Sequence, residues 1–445
     1  MQVTQLNALS RQLTNFVDSF ANCFSRSDQR SWCLMYLSGL LLDGERKSIE
    51  PMAARIEGGN IQSMQQFITD STWDYERLAS ALYRLMVQRL KIVNPFIVID
   101  DTSLPKKGRY SVGVARQYCG ALGKVSNCQS IVSLYAVENA NRIPIFARMY
   151  LPQAWVEDTA RLDKTKVPIE RRIFVEKWRI ALDLLEDARS IAPIKAVLCD
   201  AAYGGNHLFR DELDRLHIPF TVSIRGTEHF WDGTVELEPG STKGSIGRPR
   251  KWVHVKDKRR TPKSAKDLVQ KLFSTGVIRH LNLDLQKPYR VEYVSMRVFE
   301  CIQPWQRTAK ARWLVAERRS DGELKCYLSS FSRTTKPADI LRMAHQRFWI
   351  EQGYQHLKEE LGFDHYEGRS WRGLHHHILM TVMAYDFLEL LAAQRGRQKK
   401  NVGQHSRNAK VHQSYRPSGD LSSMRTSATN EATNQGQYVM KDVTL

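Results

Sequence analysis

"FIVIDDTSLPKKG", residues 96–108, places four apolar residues, Phe96 to Ile99, directly before two adjacent acids, Asp100 and Asp101. A threonine, a proline turn and two lysines follow. An apolar run of this length bounded by turn residues reads as a buried β-strand. The stretch "AVLCDAAYGGN", residues 196–206, repeats the arrangement: its apolar run stops at Asp200, and Gly204-Gly205 come after. In open α/β sheets ligands bind beyond the carboxyl ends of the strands. Acids closing two core strands are therefore candidates for one site, although a single such Asp more often caps the next turn or helix.

Outward from these strands the texture is α/β. "CQSIVSLYAV" (128–137) and "IPIFARMYL" (143–151) read as strands joined by the short turn "ENANR", which implies an antiparallel hairpin. A helix is expected over 169–190, a strand over 194–200, a helix over 207–218 and a strand over 219–226. The order is strand, strand, strand, helix, strand, helix, strand. Residues 1–90 read as a helical domain, either DNA-binding or bracing the core. Residues 91–228 and 331–395 carry the α/β core, and 229–330 read as a β-rich insertion with a basic loop at 241–266. Beyond Gly396 the chain is polar and poor in aliphatics, the composition of a disordered tail over 396–445.

Lys and Arg outnumber Asp and Glu by 66 to 47, a formal net charge of +19. That excess favours a polyanionic partner, nucleic acid first. The seven cysteines are odd in number, widely spaced and without a CxxC, which argues against a disulfide framework and a zinc ribbon and points to a reducing cytoplasm. The N-terminus shows no signal-peptide core, and no apolar run approaches the roughly 18 residues of a membrane helix. "HHH" at 375–377 reads as an exposed helix face more readily than as a metal tract.

A third carboxylate lies in "RFWIEQGYQHLKEELG", 347–362. On a continuous helix Arg347, Glu351, Tyr354 and Lys358 fall within about 60° of one another. They form a polar stripe beside an apolar one of Met343, Ile350, Leu357 and Leu361. Three acids suit a hard cation such as Mg²⁺, which takes oxygen ligands. Two such ions about 3.5–4 Å apart activate a water or 3′-hydroxyl and stabilise the leaving oxygen.

Taken together, "VIDDTSLPKKG", "LCDAAYG" and Arg347-x3-Glu351-x6-Lys358 resemble the DDE transposases of bacterial insertion sequences, in the cut-and-paste branch with a β-rich insertion before the Glu. "GVARQYCGALGKVSNCQ" (113–129) is similar too, and the resemblance covers roughly 90–395. It implies an RNase H-like core and a catalytic, metal-holding triad of Asp101, Asp200 and Glu351. Asp101 is chosen because Thr102 follows it, with Asp100 the runner-up; adjacent strand residues face opposite ways, so one of the two reaches the metal. The implied cofactor is two Mg²⁺ ions, with Mn²⁺ able to substitute. The implied partners are double-stranded DNA, at terminal inverted repeats and target, and a second copy of the chain in a synaptic dimer. Expected DNA contacts are Arg347, Lys358, Tyr354, Lys106 and Lys107 near the acids, and Arg248, Arg250, Lys251, Arg259 and Arg260 in the basic loop. Ala344 stands where the family signature has Tyr, and Tyr354 is the candidate to supply a phenol instead. Trp252 is a weaker candidate for stacking on a base. The alternatives are an inactive DNA-binding relative and an RNase H-like nuclease that cuts without joining.

Overall fold

The computed structural model describes residues 3–233, 236–238, 254–257, 259–284, 288–302 and 306–410. It opens with helices α1 (Val3–Asp18), α2 (Ser27–Leu41), α3 (Ile49–Arg55), α4 (Ile61–Thr69) and α5 (Tyr75–Leu90). Strands β1 (Phe96–Pro105), β2 (Ala115–Cys119), β3 (Lys124–Glu138) and β4 (Asn141–Tyr150) follow, then short helices α6 (Gln153–Val156) and α7 (Thr159–Lys164) and the longer α8 (Lys177–Arg189). Next come β5 (Ala196–Cys199), α9 (Ala201–Gly204), α10 (His207–Arg215) and β6 (Phe220–Ile224). The insertion holds β7 (His229–Asp232), β8 (Leu237–Glu238), β9 (His254–Val255), β10 (Lys263–Ser264), α11 (Ala265–Thr275), β11 (Arg279–Asp284), β12 (Pro288–Ile302), β13 (Gln306–Arg318) and β14 (Leu324–Ser329). The chain ends in α12 (Pro337–His345), α13 (Phe348–Glu359) and α14 (Trp371–Lys410). The strand–strand–strand–helix–strand–helix–strand order expected of an RNase H-like core is present in β1, β3, β4, α8, β5, α10 and β6, with β2 as an added hairpin strand. All seven cysteines are free thiols, and among the described residues no helix is long and apolar enough to cross a membrane.

The chain divides into two compact units. One comprises residues 1–95, 101–193 and 349–445; the other comprises 96–100 and 194–348. In the first, β3 pairs antiparallel with β2 and β4. Its register with β4 shifts between Leu134 and Tyr135, next to Pro144, which has no N–H to give the ladder. Helix α14 packs on β4 and on α2, α4 and α5. The triple histidine is the staple of this packing rather than an exposed face: His375, His376 and His377 are 2%, 0% and 0% exposed. The Met149 N–H donates to His375 Nε2 (3.2 Å). His376 lies between the carbonyls of Ile68 and Trp73. His377 bonds the Tyr36 hydroxyl (2.8 Å) and the Gly362 carbonyl (2.9 Å). The N-terminal helices are thus tied to the unit's core by buried side chains.

In the second unit β1, over residues 96–99, runs parallel to β5, and β5 parallel to β6. Strand β14 pairs antiparallel with β6 and carries the insertion strands beyond it in the order β14-β13-β12-β7-β10. The insertion's core joins Leu281, Val291, Tyr293, Val315 and Tyr327 to Ile340, Leu341 and Ala344 of α12.

Three local expectations are corrected. The α-helix does not cover 169–176: Ile169–Arg171 form a single 3-10 turn and α8 begins at Lys177, with Arg171 drawn to Glu76 (2.7 Å) and Arg172 to Asp163 (2.7 Å). The continuous helix assumed for the stripes between Met343 and Leu361 is broken: α12 ends at His345, a turn holds Gln346 and Arg347, and α13 runs from Phe348 to Glu359. Helix α14 continues past Gly396 to Lys410, so the expected tail shortens, and its remainder, 411–445, lies outside the described residues.

Candidate active site

The first apolar run does not close at its acids, since β1 continues through Asp100 and Asp101 to Pro105, whereas β5 stops just before Asp200. Register pairs Ile97, Val98 and Ile99 with Val197, Leu198 and Cys199. The pairing ends there, and Asp100 and Asp200 are the residues that follow it, Asp100 still within β1 and Asp200 after the end of β5. Asp100 Oδ2 accepts a hydrogen bond from Arg347 Nη1 (3.2 Å), with the two side chains 16% and 26% exposed. The three charges meet around Cys199. Burial pushes its thiol pKa well up, the Asp200 and Asp100 carboxylates push it further, and the Arg347 guanidinium opposes them. Asp200 itself caps α9: its Oδ1 accepts from the N–H groups of Ala202 (2.9 Å) and Tyr203 (3.3 Å). Both bonds fall on Oδ1, which leaves Oδ2 for another ligand. Gly204 makes this turn possible, because a Cβ there would lie 2.2 Å from the Ser223 carbonyl oxygen.

In the first unit, Asp101 Oδ2 accepts from Ser130 Oγ (2.9 Å) and from Lys177 Nζ (2.6 Å), and its side chain is 20% exposed. Glu351 is exposed in the first turn of α13. The helix carrying it lies close on β3 at Gly353, where a Cβ would meet the Tyr135 ring at 2.3 Å. Ile350 and Leu357 are buried as expected.

Of the sequence stripe, Glu351, Tyr354 and Lys358 lie on α13. Arg347 belongs to the turn before α13 and pairs with Asp100. Tyr354 is corrected from a DNA contact to a core residue: it is 8% exposed, bonds Ser133 (2.6 Å) and packs edge-on against Tyr135. Lys358 donates to the Ser103 carbonyl (3.2 Å) and Lys106 to the Tyr366 carbonyl (2.6 Å), and burial lowers the pKa of both. Lys107 is exposed. Arg259 is exposed, whereas Arg260 is tied to Asp232 (3.3 Å). Arg248, Arg250, Lys251 and Trp252 lie outside the described residues.

Among the described residues no group of three or more His, Cys, Asp or Glu side chains is gathered as a metal site. The candidate donors are carboxylate oxygens, which suit a hard divalent cation and not zinc. Sequence reasoning missed Lys177 and Ser130 on Asp101 and the Asp100–Arg347 pair. The signal for Asp100 was present: laying "IVID" (97–100) on "VLCD" (197–200) aligns it with Asp200.

A family model described as DDE superfamily endonuclease matches residues 19–287, a span that contains Asp100, Asp101 and Asp200. The chain is also 26% identical over 382 residues to a protein of Microchaete diplosiphon described as a probable transposase for insertion sequence element IS701. The alignment covers 84% of this chain and 86% of that relative.

Proposed function

The chain belongs to the DDE superfamily of endonucleases, and from that premise we propose that it is the transposase of a bacterial insertion sequence. In this reading it binds double-stranded DNA at terminal inverted repeats and cuts the phosphodiester bonds at the element ends. It then joins the freed 3′-hydroxyls to target DNA by in-line attack. A pair of chains holds the two ends together, and the reaction takes place in the cytoplasm, at the nucleoid. The net charge of +19 supports the partner.

The observation that carries the reading is that Asp100 and Asp200 each directly follow the parallel pairing of β1 with β5, within one unit. It supports Asp100, in place of Asp101, as the first of three acids, with Asp200 and Glu351 the others. Asp101, held by Lys177 and Ser130, then acts as a brace. These carboxylates would hold Mg²⁺ or Mn²⁺, two ions by the family's precedent, which when bound supply charge at the attacking and leaving oxygens. Arg347 orients Asp100, and the α9 cap fixes the direction of Asp200. Lys107 and Arg259, with Arg248, Arg250 and Lys251, are the proposed phosphate contacts.

The test is Mg²⁺-dependent cleavage of a labelled duplex carrying the element's own terminal repeat. Asp100→Asn, Asp200→Asn and Glu351→Gln are each expected to slow cleavage on the order of 10²–10³-fold or more with binding kept, as when a preorganised electrostatic group is lost. Asp101→Asn is expected to keep measurable cleavage; the reverse pattern returns the ligand role to Asp101. Cutting without joined products would point to a nuclease, and binding without cutting to an inactive relative.

A further inference from the structure

From Thr102 to Val137 the chain carries five cations and no Asp or Glu. Much of that charge sits on one piece of surface in the first unit. Arg116 and Tyr118, two residues apart on β2, share a face with their cross-strand partners Asn127 and Val125. The opposite face of the hairpin is turned inward through Cys119 and Cys128, both 0% exposed. Asn127 fastens the 106–110 loop beside the outer face: its Nδ2 donates to the carbonyls of Lys106 (2.9 Å) and Gly108 (2.7 Å), and its own carbonyl accepts the Lys106 N–H (2.9 Å). Lys107 and Arg109 of that loop are exposed, as is Arg116.

Amid these cations the hairpin also exposes what a folded chain ordinarily hides. Tyr118 is 67% exposed and Tyr110 60%, with Val125 and Leu122 also open to solvent. Tyr110 is already flanked by Lys164 and Arg369, each 5.4 Å from its ring centroid. Acids adjoining these two cations in the chain are engaged elsewhere, Asp163 with Arg172 and Glu367 with Arg46. Exposed apolar and aromatic surface of this kind marks a contact site. A flat ring among cations fits an unpaired nucleotide, with the base on the ring and the phosphates on the guanidinium and ammonium groups.

We propose that the outer face of the β2–β3 hairpin, Arg116 and Tyr118 together with the pinned loop at Lys107 and Arg109, grips the unpaired or frayed DNA at an element end, with Tyr118 stacked on a base. The inference rests on the reading of the chain as an enzyme of DNA ends and adds to it a binding surface outside the proposed carboxylates.

Binding of the full-length chain is measured by fluorescence anisotropy on two labelled probes. One is a fully paired duplex with the terminal repeat and its flank; the other is the same duplex with one flank strand removed. Tyr118→Ala is expected to weaken the single-stranded-flank probe about tenfold and the paired probe little, while Tyr118→Phe binds as wild type. Lys107→Ala and Arg116→Ala are expected to weaken both probes and to lower the salt slope by about one unit each. An unchanged melting temperature certifies the fold, and Tyr118→Leu repeats the test with an apolar side chain that has no flat ring. Tyr118→Ala equal to wild type on the single-stranded flank, or equally weakened on both probes, overturns the stacking proposal alone. Wild type that binds neither probe overturns this proposal and the transposase reading together.

Discussion

Inside the unit of residues 1–95, 101–193 and 349–445, Arg148 is buried with a partner, Asp183 (3.1 Å), but a cluster of polar side chains on α14 is removed from water with its ionisation shifted toward the neutral form. Burial holds the pKa of His375 and His376 down to about 3 and that of His377 to about 4. It pushes the Glu389 carboxyl up to about 7 and that of Asp386 well above its ordinary range. Inside the unit of residues 96–100 and 194–348, the same problem is met with charge. Glu300, 2% exposed, accepts from Arg210 Nε (3.0 Å) and Arg312 Nε (2.6 Å), and Arg312 also pairs with Asp214. Glu317, 0% exposed, is bonded by His345 (2.6 Å) and by the Tyr327 hydroxyl (3.0 Å). The α14 cluster therefore depends on staying neutral, whereas the Glu300 and Glu317 networks depend on each charge keeping its partner.

The largest effect that separates them is the loss of a buried partner. Glu300→Ala leaves Arg210 and Arg312 without their shared carboxylate, and removing one member of a buried pair costs about 3–5 kcal/mol. Denaturant unfolding followed by hydrogen exchange is expected to show that loss in β12, β13 and α10. A cost under about 1 kcal/mol would mean that water or Asp214 compensates, and the contrast between the units would fall.

Much of this contrast was beyond the reach of sequence reading. The strands were legible because apolar runs such as Phe96–Ile99 and Ala196–Leu198 end at turn residues, and that alone gave the element order. Asp200 was legible for the same reason. Long-range partners were not. Nothing local says that His375, His376 and His377 find Met149, Ile68 and Tyr36, so a buried staple was read as an exposed face. The stripe of Arg347, Glu351, Tyr354 and Lys358 assumed an unbroken helix. The turn at Gln346 and Arg347 takes Arg347 out of that helix, while Glu351, Tyr354 and Lys358 stay on α13, where burial and not helix breakage removes Tyr354 from the polar face. Lys177 was hidden because the ion pairs of Arg171 and Arg172, just before the start of α8, reach residues far along the chain or on another helix.

A middle-sized effect probes the neutral α14 cluster through pH. His377 is at about 6.5 when unfolded and about 4 when folded. Its folded pKa is depressed, so its contribution is whole above pH 6.5 and is lost as pH falls toward 4, at up to about 1.4 kcal/mol per pH unit. Glu389 runs the other way: raised to about 7 in the fold from 4.5, its contribution is present below 4.5 and lost as pH rises through 7. The wild-type curve is therefore a difference of opposing terms, and the informative quantity is variant minus wild type. His377→Gln can still donate to the Gly362 carbonyl and accept from Tyr36. It is expected to flatten the stability–pH slope by up to one proton between pH 6.5 and 4. An unchanged slope would mean that His377 is charged in the folded state.

The smallest effect concerns Tyr354, where the sequence stripe and the structure disagree most sharply. The hydroxyl of Tyr354 bonds Ser133 at 2.6 Å inside the first unit, and its ring meets Tyr135 edge-on. Tyr354→Phe keeps the ring and removes one buried hydrogen bond, leaving the Ser133 hydroxyl without that partner, so the expected cost is about 0.5–1.5 kcal/mol. DNA affinity and its salt slope are expected to stay at wild-type values, because a phenol that is 8% exposed offers nothing to a phosphate. Thermal unfolding and anisotropy on the terminal-repeat duplex read the two properties separately. A stable variant that binds DNA about tenfold more weakly would give Tyr354 back to the DNA-facing stripe. That outcome would require α13 to turn about its axis when DNA binds, because Ile350 and Leu357 bury the same helix on the side that now holds it to the core.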